Sequence, residues 1–165
     1  MLKTRPEAGV MDVDETAGRP DRFGPGLVAA SAVFQGSEKI ADARRLARSF
    51  LDEAQALHGL QISARAVHVV MVVVSELVTN ARAYAPGPYR LALELQDGCV
   101  EVSVGDSNPA PPAILPHDPL RIGQHGLEII IALAKSFHIH QEAMGKRLTA
   151  SILLSDRHWR PSDAD

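Results

Sequence analysis

The chain carries a single cysteine, Cys99, in 165 residues. No intramolecular disulfide is therefore possible, and a reducing cytoplasm is the expected setting. Basic charge is scarce as well: 17 Lys and Arg stand against 20 Asp and Glu, a formal net charge of −3. A protein whose main task is to grip phosphate backbones needs a concentrated basic surface, so nucleic acid is not an expected partner. Long apolar runs are missing too. The strongest, Val67 to Val74, is interrupted by His68 and is less than half of the ~20 residues that a membrane span requires, so no membrane is expected. Behind Lys3 and Arg5 there is no apolar stretch of the secretory-signal kind. No internal repeat occurs at a solenoid period, and no Ser, His and Asp set stands out for acyl transfer. His138 and His140 share a strand face but lack an evident third ligand, which favours packed or exposed histidines over a metal site.

What is present is an ordinary globular mixture, 45% hydrophobic and 22% charged. Its length is that of one domain, able to bury roughly 70% of its unfolded surface without a disulfide or metal staple. Residues 1–26 interleave Gly9, Gly18, Gly24 and Gly26 with Pro6, Pro20 and Pro25 and show no apolar period. They read as a disordered or loosely docked arm. Residues 155–165 are polar apart from Trp159 and read as a tail, leaving residues 27–154 as the folded domain.

Within that domain Leu27–Phe34 is a short apolar, partly β-branched run and reads as a strand. Ser37 and Glu38 open a helix in which Ile40, Ala43, Leu46, Ala47, Phe50, Leu51, Ala54 and Leu57 recur at three and four, and Gly59 stops it. Arg44, Arg45 and Arg48 form its solvated face. A second helix runs from Ser63 to Ala85, where Pro86 and Gly87 block continuation. Its Val67, Val70, Val74, Leu77, Ala81 and Tyr84 cluster on one side at 100° per residue, whereas Val69, Val72 and Val73 line up with Glu76 and Asn80 on another. A helix apolar on two sides is sandwiched or walls a pocket. Tyr89–Gln96 and Cys99–Gly105 alternate around Asp97-Gly98 as a hairpin. Asn108–Leu120, with five prolines, is long enough without structure to read as a lid or binding segment. A third helix from Leu127 to about Lys135 and strands Phe137–Glu142 and Arg147–Leu154, with Met144 and Gly145 at their turn, complete the chain. The order predicts an α+β, two-layer sandwich, with helices on one face of a mixed, mostly antiparallel sheet.

Several residues in this frame carry chemistry, each weakly on its own. Glu76 and Asn80 are one helical turn apart and point the same way. An Asn carbonyl can serve Mg²⁺ alongside phosphate oxygens and waters, and a Glu can accept the proton of an incoming hydroxyl. A bare ExxxN is nonetheless far more often a solvated pair. Asp106, at a strand end, can accept a hydrogen bond from an exocyclic amine, although Asp-Ser-Asn-Pro is also ordinary turn chemistry. Gly123 and Gly126 bracket the entry to a helix, whose free N–H groups and dipole favour an anion. Cys99 reads as a small core residue on its strand.

The order of these signals is more specific than any one of them. SELVTNARAYAPGPYR, VEVSVGDSNPAPP, RIGQHGLEII and GKRLTASILL together resemble the nucleotide-binding boxes of the GHKL superfamily, which has a histidine-kinase-like ATPase fold. Within it they resemble the anti-sigma-factor-type serine/threonine kinases of actinomycete bacteria, over roughly residues 27–154. The resemblance implies ATP and Mg²⁺ as cofactors, Glu76 as general base and Asn80 as magnesium ligand. It implies Asp106 as acceptor of the adenine amine, and Gly123, His125, Gly126 and Leu127 as the box that wraps the phosphates. It implies Thr149 as support for Asp106, and Arg82, one turn beyond Glu76, near phosphate. Expected partners are a sigma factor and an antagonist protein, with the chain as a homodimer. Two positions depart from the pattern: Asp106, Ser107, Asn108 replaces the usual DxG, and Tyr84 stands where His is common. A non-catalytic interaction module with a vestigial pocket is the alternative reading. The ATPase half of a histidine kinase is weaker, since no phosphoacceptor helix pair fits.

Overall fold

A computed structural model describes residues 28–85, 87–107 and 125–155. The arm, Pro86, the lid segment Asn108–Leu120, Gly123 and all of the tail beyond Ser155 lie outside the described residues. Strand β1 (Ala29–Phe34) is followed by helices α1 (Ile40–His58) and α2 (Ala64–Tyr84), then by strands β2 (Tyr89–Gln96) and β3 (Cys99–Asp106). Helix α3 (Gly126–Leu133) and strands β4 (Ser136–Glu142) and β5 (Gly145–Leu153) close the domain. The five strands form one sheet in the order β1-β2-β3-β5-β4. Every pairing among the described residues is antiparallel, so no parallel pair accompanies them.

Strand periodicity decides which face the helices cover. Leu91, Leu93 and Leu95 of β2, Val100, Val102 and Val104 of β3, and Leu148, Ala150 and Ile152 of β5 are all buried, and register aligns them across the sheet. Their alternates, among them Ser103, Thr149 and Arg147, face the other side. The β2–β3 connection is the expected two-residue hairpin, with φ of 51° at Asp97 and 75° at Gly98. Positive φ at both central positions matches the twist of the flanking strands. With few aromatics available, the core is aliphatic. Phe34 and Tyr89 are an exception, stacked at 5.4 Å as direct partners in the β1–β2 register.

Helix α1 begins at Ile40, three residues later than Ser37. The cause is Glu38, whose carboxylate accepts from the backbone N–H of Gln35 and Gly36 and closes a turn instead. Its buried stripe, Ala43, Ala47, Phe50, Leu51 and Ala54, is rich in small side chains that allow close approach to α2. Leu57 departs from that stripe and is 75% exposed in the last turn. Gly59 takes the left-handed cap conformation, with φ of 62°.

Helix α2 starts as expected, Ser63 Oγ accepting from Ala66 N–H at 3.0 Å. It is packed on several sides, against α1, α3, β3 and β5. Val70, Val74, Leu77 and Ala81 are buried, and so are Val69 and Val73 on the face that carries Glu76. Tyr84 is a correction: at the helix end it is half exposed, where a phenol can keep its hydroxyl near water. By length and composition α2 could cross a membrane, and half of that stretch is buried inside the fold as its central helix.

Candidate functional site

Two carboxylates, Glu76 within α2 and Asp106 at the end of β3, define the candidate site. Glu76 projects from the middle of α2 toward the start of α3. A Cβ placed on Gly126, the first residue of α3, would overlap Glu76 Oε2. Only a glycine lets the carboxylate come this close to the helix entry. The first turn of α3 has N–H groups without intrahelical partners, and its dipole adds positive potential there. Leu127 and Ile130 are buried, anchoring α3 on α2. His125 occupies the N-cap position without a side-chain cap bond, and its Nδ1 lies 3.1 Å from Glu128 Oε2 in the first turn. Asn80 is one turn, about 6 Å along the axis, beyond Glu76 on the same face of α2.

Asp106 is the last residue of β3 and shares the helix-covered phase of Val104 and Val102. Directly opposite in the register is Lys146. Its Nζ lies 3.2 Å from Asp106 Oδ1 and 3.0 Å from Oδ2, and both side chains are 1% exposed. Breaking such a pair by removing one partner costs about 3–5 kcal/mol, because the other charge is left buried alone. The backbone there is equally tight, since a Cβ on Gly145 would overlap the Asp106 carbonyl.

The structure thus brings Glu76 to Gly126, which His125 and Leu127 flank in the chain, with Asn80 one turn along α2. It does not bring Thr149 to Asp106. Thr149 pairs with Ser103 on the opposite face of the sheet, its Oγ1 donating to Ser103 Oγ at 3.3 Å. Arg82 is also elsewhere. Six residues beyond Glu76 it points about 120° around the helix from it, lining a cavity of about 670 Å³ with Gln35, Gly36, Ser37, Ile40 and Thr79. There its charge acts on Glu38 and Tyr89. Burial pushes the Glu38 carboxyl up, but backbone hydrogen bonds at Gln35, Glu38 and Gly36, with the Arg82 charge, outweigh it and hold the group below its usual range. Tyr89, buried with no partner for its hydroxyl among the described residues, is pushed up to about 12 by that burial. Gly123 lies outside the described residues.

Lys146 is the residue that sequence reasoning missed. Its signal is parity: in GKRLTASILL the positions of Leu148, Ala150 and Ile152 set the buried phase, and Lys146 belongs to it whereas Thr149 does not. His138 and His140 are exposed on the outer face, and among the described residues no three His, Cys, Asp or Glu side chains gather. Among the described residues, Glu76 and Asn80 offer one carboxylate and one carboxamide from α2, while the Glu128 carboxylate of α3 is turned to His125. Such a sparse oxygen set suits Mg²⁺, which retains waters and phosphate oxygens rather than taking a protein cage.

A model of the histidine kinase-like ATPase domain family matches residues 37–152. No curated protein matches the chain. Among solved structures, the RsbU and RsbW domains of Rv1364c from Mycobacterium tuberculosis are similar, with a TM-score of 0.56 and 22% identity over 76% of this chain. This chain spans about a third of that one, 32% of its length. The histidine kinase domain of the blue-light activated histidine kinase from Erythrobacter litoralis EL346 is more distant, at a TM-score of 0.45 and 17% identity, covering 70% of this chain and 62% of that one.

Proposed function

Because the chain belongs to the histidine kinase-like ATPase domain family, we propose that it is an ATP-binding regulator that phosphorylates a serine or threonine of an antagonist protein and alternately sequesters a sigma factor. The observation that carries this reading is the Glu76 carboxylate set against the entry of α3. The roles follow from position. The free N–H groups of the first turn of α3, led by His125, Gly126 and Leu127, receive phosphate oxygens. Asn80 offers its carboxamide oxygen to Mg²⁺, which when bound neutralises charge on the transferring group. Glu76 takes the proton of the incoming hydroxyl as its oxygen bonds to the γ-phosphorus and the bond to the β–γ bridging oxygen breaks, with ADP leaving. Asp106 accepts from the exocyclic amine of adenine at the far end of the site. Thr149, on the opposite face of the sheet, and Arg82, in the cavity beside α1, are left out of this reading. The chain works in the cytoplasm as a homodimer, on the resemblance of its motifs.

Glu76→Gln tests this reading on the full chain with labelled Mg-ATP and candidate antagonists. Retained nucleotide binding with abolished transfer is the expected result, and unchanged transfer removes Glu76 from its role. The rival, an interaction module with a vestigial pocket, is favoured by one observation: Asp106 is already held in a closed pair, and Ser107-Asn108 replaces the usual glycine-containing turn. No heat and no thermal shift with millimolar Mg-ATP would support the module.

A further inference from the structure

We propose that Lys146 is a positioning residue for nucleobase recognition, holding the Asp106 carboxylate in a fixed plane while it accepts the exocyclic amine. This rests on the nucleotide reading above and assigns the specificity of the same site. Lys146 faces Asp106 across the β3–β5 ladder, and its single ammonium contacts both carboxylate oxygens, at 3.2 and 3.0 Å. A cation shared between the two oxygens stops the carboxylate rotating about its last bond. The backbone beneath is fixed as well, because Gly145 abuts the Asp106 carbonyl with no room for a side chain.

The lysine is a support and not an obstacle. Both side chains are 1% exposed, and a buried pair is far more costly to separate than one neutral amine hydrogen bond can offset. A base that reaches Asp106 therefore meets the pair intact. Within the pair the ammonium balances the carboxylate charge, and a carboxylate oxygen held in that plane suits the amine of adenine. A purine with a carbonyl at that position would set acceptor against acceptor.

The test is calorimetric titration of the full chain with Mg-ATP and with the magnesium complex of purine riboside triphosphate, which lacks only the amine. The unaltered chain is expected to prefer ATP by about ten-fold or more. In Lys146→Met the preference should fall to within about two-fold, and Lys146→Arg, which keeps a cation, should restore most of it. A purely structural role would weaken both nucleotides together and leave their ratio unchanged. Full preference retained in Lys146→Met overturns the proposal and leaves the nucleotide site standing. An unaltered chain that binds both nucleotides equally overturns it together with the role of Asp106, and one that binds neither overturns the nucleotide reading itself. If Lys146→Met does not fold, the ¹⁵N ammonium resonance of Lys146 in the unaltered chain decides. Its persistence with a shift on Mg-ATP, absent with the amine-free analogue, supports the proposal. Its loss to solvent exchange on Mg-ATP overturns it, since the base would then have displaced the lysine.

Discussion

The two ends of the site treat a carboxylate in opposite ways. Asp106 is closed from solvent and joined to a buried lysine. Glu76 is half-buried, has no ion-pair partner among the described residues, and lies against a helix entry whose N–H groups offer only partial positive charge. A carboxylate joined to a buried cation is held in one orientation. A carboxylate set only against a helix entry is less firmly held and can turn toward an incoming hydroxyl. The strand end is thus suited to recognition, and the helix end to chemistry.

The difference can be broken most severely at the strand end. Lys146→Met leaves Asp106 buried without its cation and should destabilise the fold by about 3–5 kcal/mol. Asp106→Asn combined with Lys146→Met removes both charges and should recover much of that loss, read from chemical denaturation of each variant. Equal stability of the single and double variants would show that the pair is not the source of the cost. Gly145→Ala attacks the same end through the backbone. Its methyl would overlap the Asp106 carbonyl, which is not a flexible tip that can move aside, and a loss of about 2–3 kcal/mol is expected. A melting temperature within a degree of the unaltered chain would refute that contact.

Tyr89→Phe probes a buried group that belongs to neither end. The hydroxyl has no partner among the described residues, so its removal should stabilise the fold by about 1 kcal/mol. The pH dependence has a definite sign. Tyr89 is raised from its ordinary value of 10.0 to about 12, so its contribution is fully present below pH ~10 and is lost as pH rises toward 12. The Phe variant should lack that alkaline fall, and an identical fall in both chains would assign it to another group. The smallest effect on stability falls at the helix end. Gly126→Ala overlaps only the tip of Glu76, which can swing away, and meets its Cβ at an ordinary contact distance of 3.5 Å, so the cost should stay under about 1 kcal/mol. Phosphoryl transfer should nevertheless drop, because the displaced carboxylate no longer faces the entry of α3. Transfer at the full rate would contradict the placement of Glu76.

How much of this was legible in the sequence also differs between the two ends. Helical spacing is local information, so Glu76 and Asn80 on one face of α2, and Gly126 at the entry of α3, could be read from residue numbers alone. The same arithmetic separates Arg82, which is 240° on from Glu76 and not one turn beyond it. The strand end depends on register, which joins residues forty positions apart in the chain, and Asp106 was recognisable while its partner was not. The alternation Leu148, Ala150, Ile152 excludes Thr149 from the buried face and includes Lys146, but only once β5 is known to pair with β3 in that register. The start of α1 departs from its sequence signal for a different reason. Glu38 looked like a first-turn acid, but its carboxylate binds backbone behind it, an interaction that competes with helix initiation and that composition does not show.

The central claim is that the Glu76 carboxylate, held at the entry of α3, accepts the proton during phosphoryl transfer. Its most direct test is a single-turnover assay of Glu76→Gln beside the unaltered chain, with Mg-ATP binding measured on the same samples. Binding within about three-fold of the unaltered chain, with transfer reduced by about 10²-fold or more, is the predicted result. Transfer at an undiminished rate by the Gln variant would contradict it.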